Sequence, residues 1–443
     1  MRPVIAIIIL GLFIPLGSTT TAEEWTIIDA PIVVRDEVRS IVPERPQVEV
    51  MQNWIEWRIE HVLPRLMKHH GVDAWVLLRH RDPTYLTLVE ANAEGMILRR
   101  PRLLLMVLAG DHVKRVELSE TDMLPSTLAR LDPKSVAVSD EDRDRLETLL
   151  PEAMRQRLQS SMVLETEFLQ EQAPEAISVF EHVARVANEI YAEAFSNIAI
   201  TPDVTTSDDL NWWIRDRYKA LGLETYDHPT ITVQRAAAVR AAYGDADEAF
   251  QIADPPRNGS NVILRRGDLI FADTGIKYFG LNTDSQQCVY ILKSGETTMP
   301  EGLQQAFANG RRLQDLVMEE IRPSRTGGEV FDAAMARARH EDLRADVYSH
   351  PLPLYLNRYE LNGGFVYLER YGAGPGISRD EGGPEADFLM GRNTVYALEL
   401  DVLYSVPEWG GQDVRMMLET NIAVTDNDAR FLGGRQNSCF LVH

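Results

Sequence analysis

The stretch Arg266-Gly267-Asp268-Leu269-Ile270-Phe271-Ala272-Asp273-Thr274-Gly275, continued by Asn282-Thr283-Asp284, puts two carboxylates into a run that otherwise reads as a buried strand. Gly267-Asp268 suits a turn into that strand, and Asp273 interrupts its apolar residues. Asp284 follows eleven residues later, after a hairpin-like reversal at Phe279-Gly280-Leu281. That spacing predicts two acids side by side on paired strands. A buried carboxylate without a partner costs on the order of several kcal/mol, so each needs a cation or strong hydrogen bonds. Exposed turn aspartates are the plain alternative. It suits Asp284 better than Asp273, which sits inside IFAD.

Two further acids repeat the pattern. Glu399 breaks the apolar run Thr394-Val-Tyr-Ala-Leu-Glu399-Leu-Asp401-Val-Leu, and Glu419 breaks Val414-Arg415-Met-Met-Leu-Glu419-Thr-Asn-Ile-Ala-Val. Gly410-Gly411 supplies the turn between these strands, which predicts Glu399 and Glu419 as cross-strand neighbours. Oxygen-rich donors of this kind suit Mn²⁺, Mg²⁺ or Ca²⁺, with Zn²⁺ favoured once an imidazole joins. Two divalent ions bridged by carboxylates activate a water and polarise a carbonyl. One such acid would be weak evidence; four together are not.

At 443 residues, 44% hydrophobic and 25% charged, the chain has the composition of a folded protein of two domains. Strands at Asp73–Leu78, Arg102–Leu108 and Val113–Leu118, with helices over 50–70 and 140–150, predict an α/β domain over residues 45–165. A boundary follows near Glu165–Pro174. Residues 170–443 open with two long amphipathic helices, about Pro174–Ser196 and Ser207–Leu221. They continue as strands at Thr230–Val233, Asn261–Leu264, Asp268–Ile276, Gln287–Leu292, Asn393–Tyr404, Gln412–Val424 and Phe440–Val442. Helices over 302–320 and 328–340 complete an α+β pattern with a mainly antiparallel sheet.

Arg2, the short apolar run Ile5–Leu16 and the small residues ending at Ala22 have the layout of a secretory signal peptide covering residues 1–22. The expectation is a periplasmic or secreted protein, with no membrane association once the peptide is cleaved. A net charge of −22 disfavours nucleic acid and anionic lipid surfaces as partners. Only two cysteines are present, Cys288 and Cys439, both in apolar strand-like stretches. Whether they pair stays open.

The order Asp273, Asp284, Glu399, Glu419 resembles metallopeptidase family M24, which includes Xaa-Pro aminopeptidase, prolidase, methionine aminopeptidase and creatinase. The runs GDLIFADTGIKYFGLNTDSQQ and VPEWGGQDVRMMLE look like the branch related to Xaa-Pro aminopeptidase. The resemblance implies an α+β pita-bread C-terminal domain over residues 170–443, preceded by a smaller α/β creatinase-type N-terminal domain. It implies two divalent metal ions (Mn, Zn or Co) as cofactors. Asp273 would chelate one ion, Asp284 and Glu419 would bridge, and Glu399 would bind the second and touch the nucleophilic water. Short peptides are the implied partners, and a homodimer the implied assembly.

The family's histidines are matched only in part. The resemblance calls for a ligand histidine before the Glu399 strand and a substrate-facing one about seven residues later. Val347-Tyr348-Ser349-His350-Pro351 holds the one histidine of this region, and Arg370-Tyr371-Gly372-Ala373-Gly374-Pro375-Gly376 carries a tyrosine in the glycine-rich turn. One alignment makes His350 the ligand and puts Tyr371 in the place of the substrate-facing histidine, with an insertion over Leu352–Arg370. The rival alignment puts Tyr371 at the ligand position. A third family histidine has no counterpart in Glu248–Asn261. Arg415 would neutralise a bridging carboxylate, hold a substrate carboxylate, or serve a structural salt bridge.

The expected function is a metal-dependent exopeptidase of the Xaa-Pro aminopeptidase type, with Glu399 as its catalytic residue. The alternative is a catalytically impaired M24-like protein that binds peptide or a protein partner. Creatinase-like carbon–nitrogen hydrolysis is a third, less supported reading.

Overall fold

The computed structural model describes residues 42, 44–78, 103–225, 228–244, 261–352, 358–361, 364–367, 374–379, 388–426 and 428–443. The expected signal peptide, Tyr371 and most of Glu248–Asn261 lie outside the described residues.

The N-terminal part opens with α1 (Glu44–His61) and α2 (Leu63–His69). The apolar periodicity alone predicted one continuous helix here. Pro64 at the start of α2 lacks the N–H that an unbroken helix would need, and the chain divides at Val62. Strands β1 (Ala74–Leu78), β2 (Leu103–Ala109), β3 (His112–Leu118), β4 (Val136–Val138) and β5 (Leu158–Ser160) form one sheet in the order β3-β2-β1-β4-β5. Helices α3 (Leu124–Leu131), α4 (Asp140–Leu149) and α5 (Glu152–Arg155) separate β3, β4 and β5. The pairs β1–β4 and β4–β5 are parallel, as alternation of strand and helix predicts. In the region of the expected boundary, residues Met162–Gln170 form α6.

Helices α7 (Pro174–Ala194) and α8 (Ser207–Ala220) follow. α7 buries Ala176, Ile177, Phe180, Val183, Ala184, Ala187, Ile190 and Tyr191, the one-sided stripe of an amphipathic helix. Burial of a side chain such as Phe180 contributes about 1.5–3 kcal/mol. Thr206 caps α8 in a reciprocal capping box with Asp209. Strands β6 (Glu224–Thr225) and β7 (Thr230–Gln234) come next, then α9 (Ala237–Tyr243), β8 (Leu269–Thr274), β9 (Ile276–Tyr278), β10 (Leu281–Asn282) and β11 (Ser285–Ile291). Asn261–Leu264, expected as a strand, makes only an isolated bridge between Ile263 and Thr206. Its residues instead serve the end of α8, whose Ser207 N–H donates to the Val262 carbonyl.

After α10 (Glu301–Glu320) and α11 (Gly327–His340) come β12 (Arg344–Val347), β13 (His350–Pro351), β14 (Arg358–Leu361) and β15 (Gly364–Tyr367). The last two form a hairpin within the expected insertion. Strands β16 (Thr394–Val406), β17 (Gln412–Val424), β18 (Ala429–Phe431) and β19 (Phe440–Val442) end the chain. The main sheet runs β12-β16-β17-β11-β8-β7, with β13 on β16, β18 on β17 and β19 on β11. Its pairs are antiparallel apart from β11–β19.

One ion pair anchors the strands that lead to the acids. Arg235, just past β7, donates to both oxygens of Asp268, just before β8, at 2.6 Å each, and to the Ile263 carbonyl at 2.7 Å. Both side chains are 0% exposed. Removing one partner leaves a buried charge uncompensated. Arg235→Ala is expected to lower unfolding stability by about 3–5 kcal/mol in a urea titration. A loss under about 1 kcal/mol, the range of exposed pairs, would contradict that role.

Candidate metal centre

Two turns help to bring the acids together. Phe279 (φ 51°) and Gly280 (φ 69°) form a two-residue reversal that pairs Tyr278 with Leu281 and Lys277 with Asn282. Both central residues in the left-handed region match the right-handed twist of a hairpin, which glycine adopts without penalty. The returning chain sets Ser285 opposite Thr274 and Gln286 opposite Asp273, so Asp284 arrives beside the end of β8. Gly410 and Gly411, at φ 70° and 80°, turn β16 into β17, and Glu399 then lies directly opposite Glu419. Gln286 closes the group, because it is also the register partner of Glu419.

His350 enters from β13, opposite Ala397. Its Nε2 stands 3.8 Å from Asp284 Oδ2 and 3.8 Å from Glu399 Oε2. Nδ1 lies 3.2 Å from the Pro351 carbonyl. A carbonyl only accepts, so that contact assigns the ring proton to Nδ1 and leaves the Nε2 lone pair directed at the acids. Burial pushes the His350 pKa down to about 4, so the imidazole is neutral at neutral pH. The two 3.8 Å approaches are therefore not ion pairs. They set a lone pair against carboxylate oxygens, an arrangement suited to a shared cation.

Glu419 is 3% exposed, and its Oε1 is buried with no hydrogen-bond partner. Burial first, then the neighbouring charges of Asp284, Glu399 and Asp273, hold its carboxyl well above the usual carboxylate range. Ligand atoms of Asp284, His350 and Glu419 all lie within 4.8 Å of one another, a spacing that could hold a metal ion. Glu399 joins through His350. Asp273 is outside that trio and adjoins it through Gln286. Oxygen-rich donors with one imidazole and an orphaned carboxylate oxygen fit a divalent cation.

Side chains that pattern reading missed hold these groups. The Ser349 hydroxyl accepts from Glu399 N–H and donates to the Glu399 carbonyl, both at 2.9 Å. Asn421 Oδ1 accepts from Asp284 N–H at 3.1 Å. Adjacency to His350 and to Glu419 was their only signal. Tyr348 sits nearby, its hydroxyl 3.3 Å from Asp401 Oδ2. Burial, then Glu399 and Asp401, raise its pKa well above the usual value. Of the roles open to Arg415, the geometry presents a salt bridge. Its Nε lies 3.7 Å from Asp401 Oδ2, and Gln234 clamps its backbone N–H and carbonyl.

The profile of metallopeptidase family M24 matches residues 181–426, more than half of the chain. No curated protein sequence matches it. Among solved structures, X-Pro aminopeptidase from Thermotoga maritima MSB8 aligns over 85% of this chain and 100% of its own, at 14% identity and TM-score 0.55. Xaa-Pro dipeptidase from Bacillus anthracis aligns over 87% and 99%, at 13% identity and TM-score 0.54. Dipeptidase PepE from Mycobacterium ulcerans aligns over 88% and 98%, at 16% identity and TM-score 0.54. Such identities establish likeness of fold: an α+β pita-bread sheet preceded by a smaller α/β part. With its four acids gathered on that sheet, the chain belongs to metallopeptidase family M24.

Proposed function

We propose that the protein is a metal-dependent exopeptidase that removes residues from short peptides at Xaa-Pro bonds. The observation that carries this reading is His350 Nε2, 3.8 Å from both Asp284 and Glu399, with Glu419 in the same cluster. Asp273, Asp284, His350, Glu399 and Glu419 would hold two divalent ions, Mn, Zn or Co. When bound, such ions lower the pKa of a water and polarise a carbonyl.

The chain's own residues would do the rest. Glu399 takes the proton of the attacking water on its carboxylate and returns it to the departing amine. Ser349 fixes the backbone of Glu399, and Asn421 fixes that of Asp284, so both acids are set before substrate arrives. His350, held neutral with its proton on Nδ1, offers Nε2 as a donor without a competing charge. Arg415 stays with Asp401 as a salt bridge beside the site. Cleavage of residues 1–22, a periplasmic or secreted location, a division into domains at 45–165 and 170–443, and a homodimer complete the reading. They rest on the N-terminal pattern, the change of pattern along the chain and family resemblance.

Metal binding should release protons. Burial and the neighbouring carboxylates raise the Glu419 pKa and so favour its protonated form, whereas a bound cation favours the carboxylate, so metal binding drives the proton off. Calorimetric titration of metal-stripped protein with Mn²⁺ in buffers of different ionisation heat is expected to show net release, reduced in Glu419→Gln. Net uptake would contradict the assignment. For the reaction, turnover of Xaa-Pro peptides with Mn²⁺, Co²⁺ or Zn²⁺ is expected to fall on the order of 10²–10⁴-fold in Glu399→Gln. Full metal occupancy without turnover in the unsubstituted protein would instead favour a peptide-binding descendant.

A further inference from the structure

The two cysteines lie apart from the acids and play no part in the proposed reaction. Cys288 is in β11, and Cys439 immediately precedes β19. These strands run parallel with Val289 opposite Phe440, so the cysteines occupy the next position back along the same ladder. Paired strands stand about 4.7–4.9 Å apart, inside the range of about 4.4–6.8 Å that a disulfide spans between Cα atoms. The Sγ atoms are 2.8 Å apart, and both side chains are buried. The pairing is further fixed by Gln436, whose amide accepts from Cys288 N–H at 3.0 Å and donates to the Cys288 carbonyl at 2.7 Å. The chain holds no third cysteine to compete.

We infer that Cys288 and Cys439 form a disulfide when the chain folds in a thiol-oxidising environment, fastening the C-terminal strand to the centre of the main sheet. The bond forms between the two Sγ atoms as the two S–H bonds break. Two electrons and two protons pass to a disulfide oxidant, such as glutathione disulfide, which leaves as two thiols. The exchange belongs to folding, before the strand docks. Once docked, burial keeps the Cys439 thiol protonated and unreactive.

The tie bears on the site's surroundings. β11 also carries Gln286, the register partner of both Asp273 and Glu419. The segment leading to Cys439 is attached to Asn421 as well, through the Leu432 N–H. The disulfide would thus hold in place the same segment that steadies the residue bonded to Asp284.

Full-length protein, unfolded and reduced, is refolded in glutathione redox buffer and alkylated with iodoacetamide under denaturing conditions, with and without prior reduction. Neither cysteine is expected to be alkylated unless reduced first. The unreduced mass should be lower by two hydrogens, and the peptides containing Cys288 and Cys439 should be recovered linked. Reduction is expected to lower the thermal midpoint by about 5 °C or more. Alkylation of both cysteines without reduction, or a glutathione adduct on either, would overturn the inference.

Discussion

Glu399 and Glu419 occupy directly opposed positions on adjacent antiparallel strands, where two carboxylates repel. Their neighbours along the strands include the buried apolar residues Leu398, Leu400 and Leu418. Asp284 and Asp273 add negative charge to the same point. Two responses are available: a proton on Glu419, or a cation shared among the oxygens. His350 cannot supply the charge itself, since burial keeps its imidazole neutral. It supplies a lone pair instead, which is what a cation needs and what the carboxylates do not.

A cluster this unfavourable persists only if the surrounding sheet holds it. Apolar packing supplies most of that support, with α10 and α11 burying Leu303, Leu313, Leu316, Val317, Val330 and Ala334 in one core with Leu398, Leu400 and Val402. α7 and α8 pack into a second core with Ile270, Ala272 and Val289. Directed polar contacts then set register. The Arg235–Asp268 pair fixes the approach to β8, Gln234 clamps β7 to β17, and Ser349 ties β13 to β16. Each is buried or partly buried, so each hydrogen bond is worth more than its surface equivalent.

Much of this was legible along the chain for a physical reason. An acid inside an apolar strand is expensive, so Asp273, Glu399 and Glu419 stand out without any neighbour being known. Gly410-Gly411 and Phe279-Gly280 mark turns because their backbone angles are ones most residues avoid. Other features gave no such signal. Pro64 divides a helix whose apolar periodicity runs on unbroken across it. Asn261–Leu264 looks like a strand but its hydrogen bonds go to the end of α8. Ser349 and Asn421 are ordinary polar residues in sequence and become site residues only through partners 50 and 137 positions away.

By itself, the sequence determined which residues must be reconciled: three acids in apolar strands, a fourth eleven residues after the first, one histidine before the Glu399 strand, and turns that fold strands back on one another. These are local matters of polarity, spacing and backbone freedom. Tertiary structure alone decided that the acids converge, that His350 turns Nε2 toward Asp284 and Glu399, that Arg415 faces Asp401, and that Cys288 meets Cys439. Those are distances between remote parts of the chain, and they follow from sheet register and core packing, which no local pattern encodes.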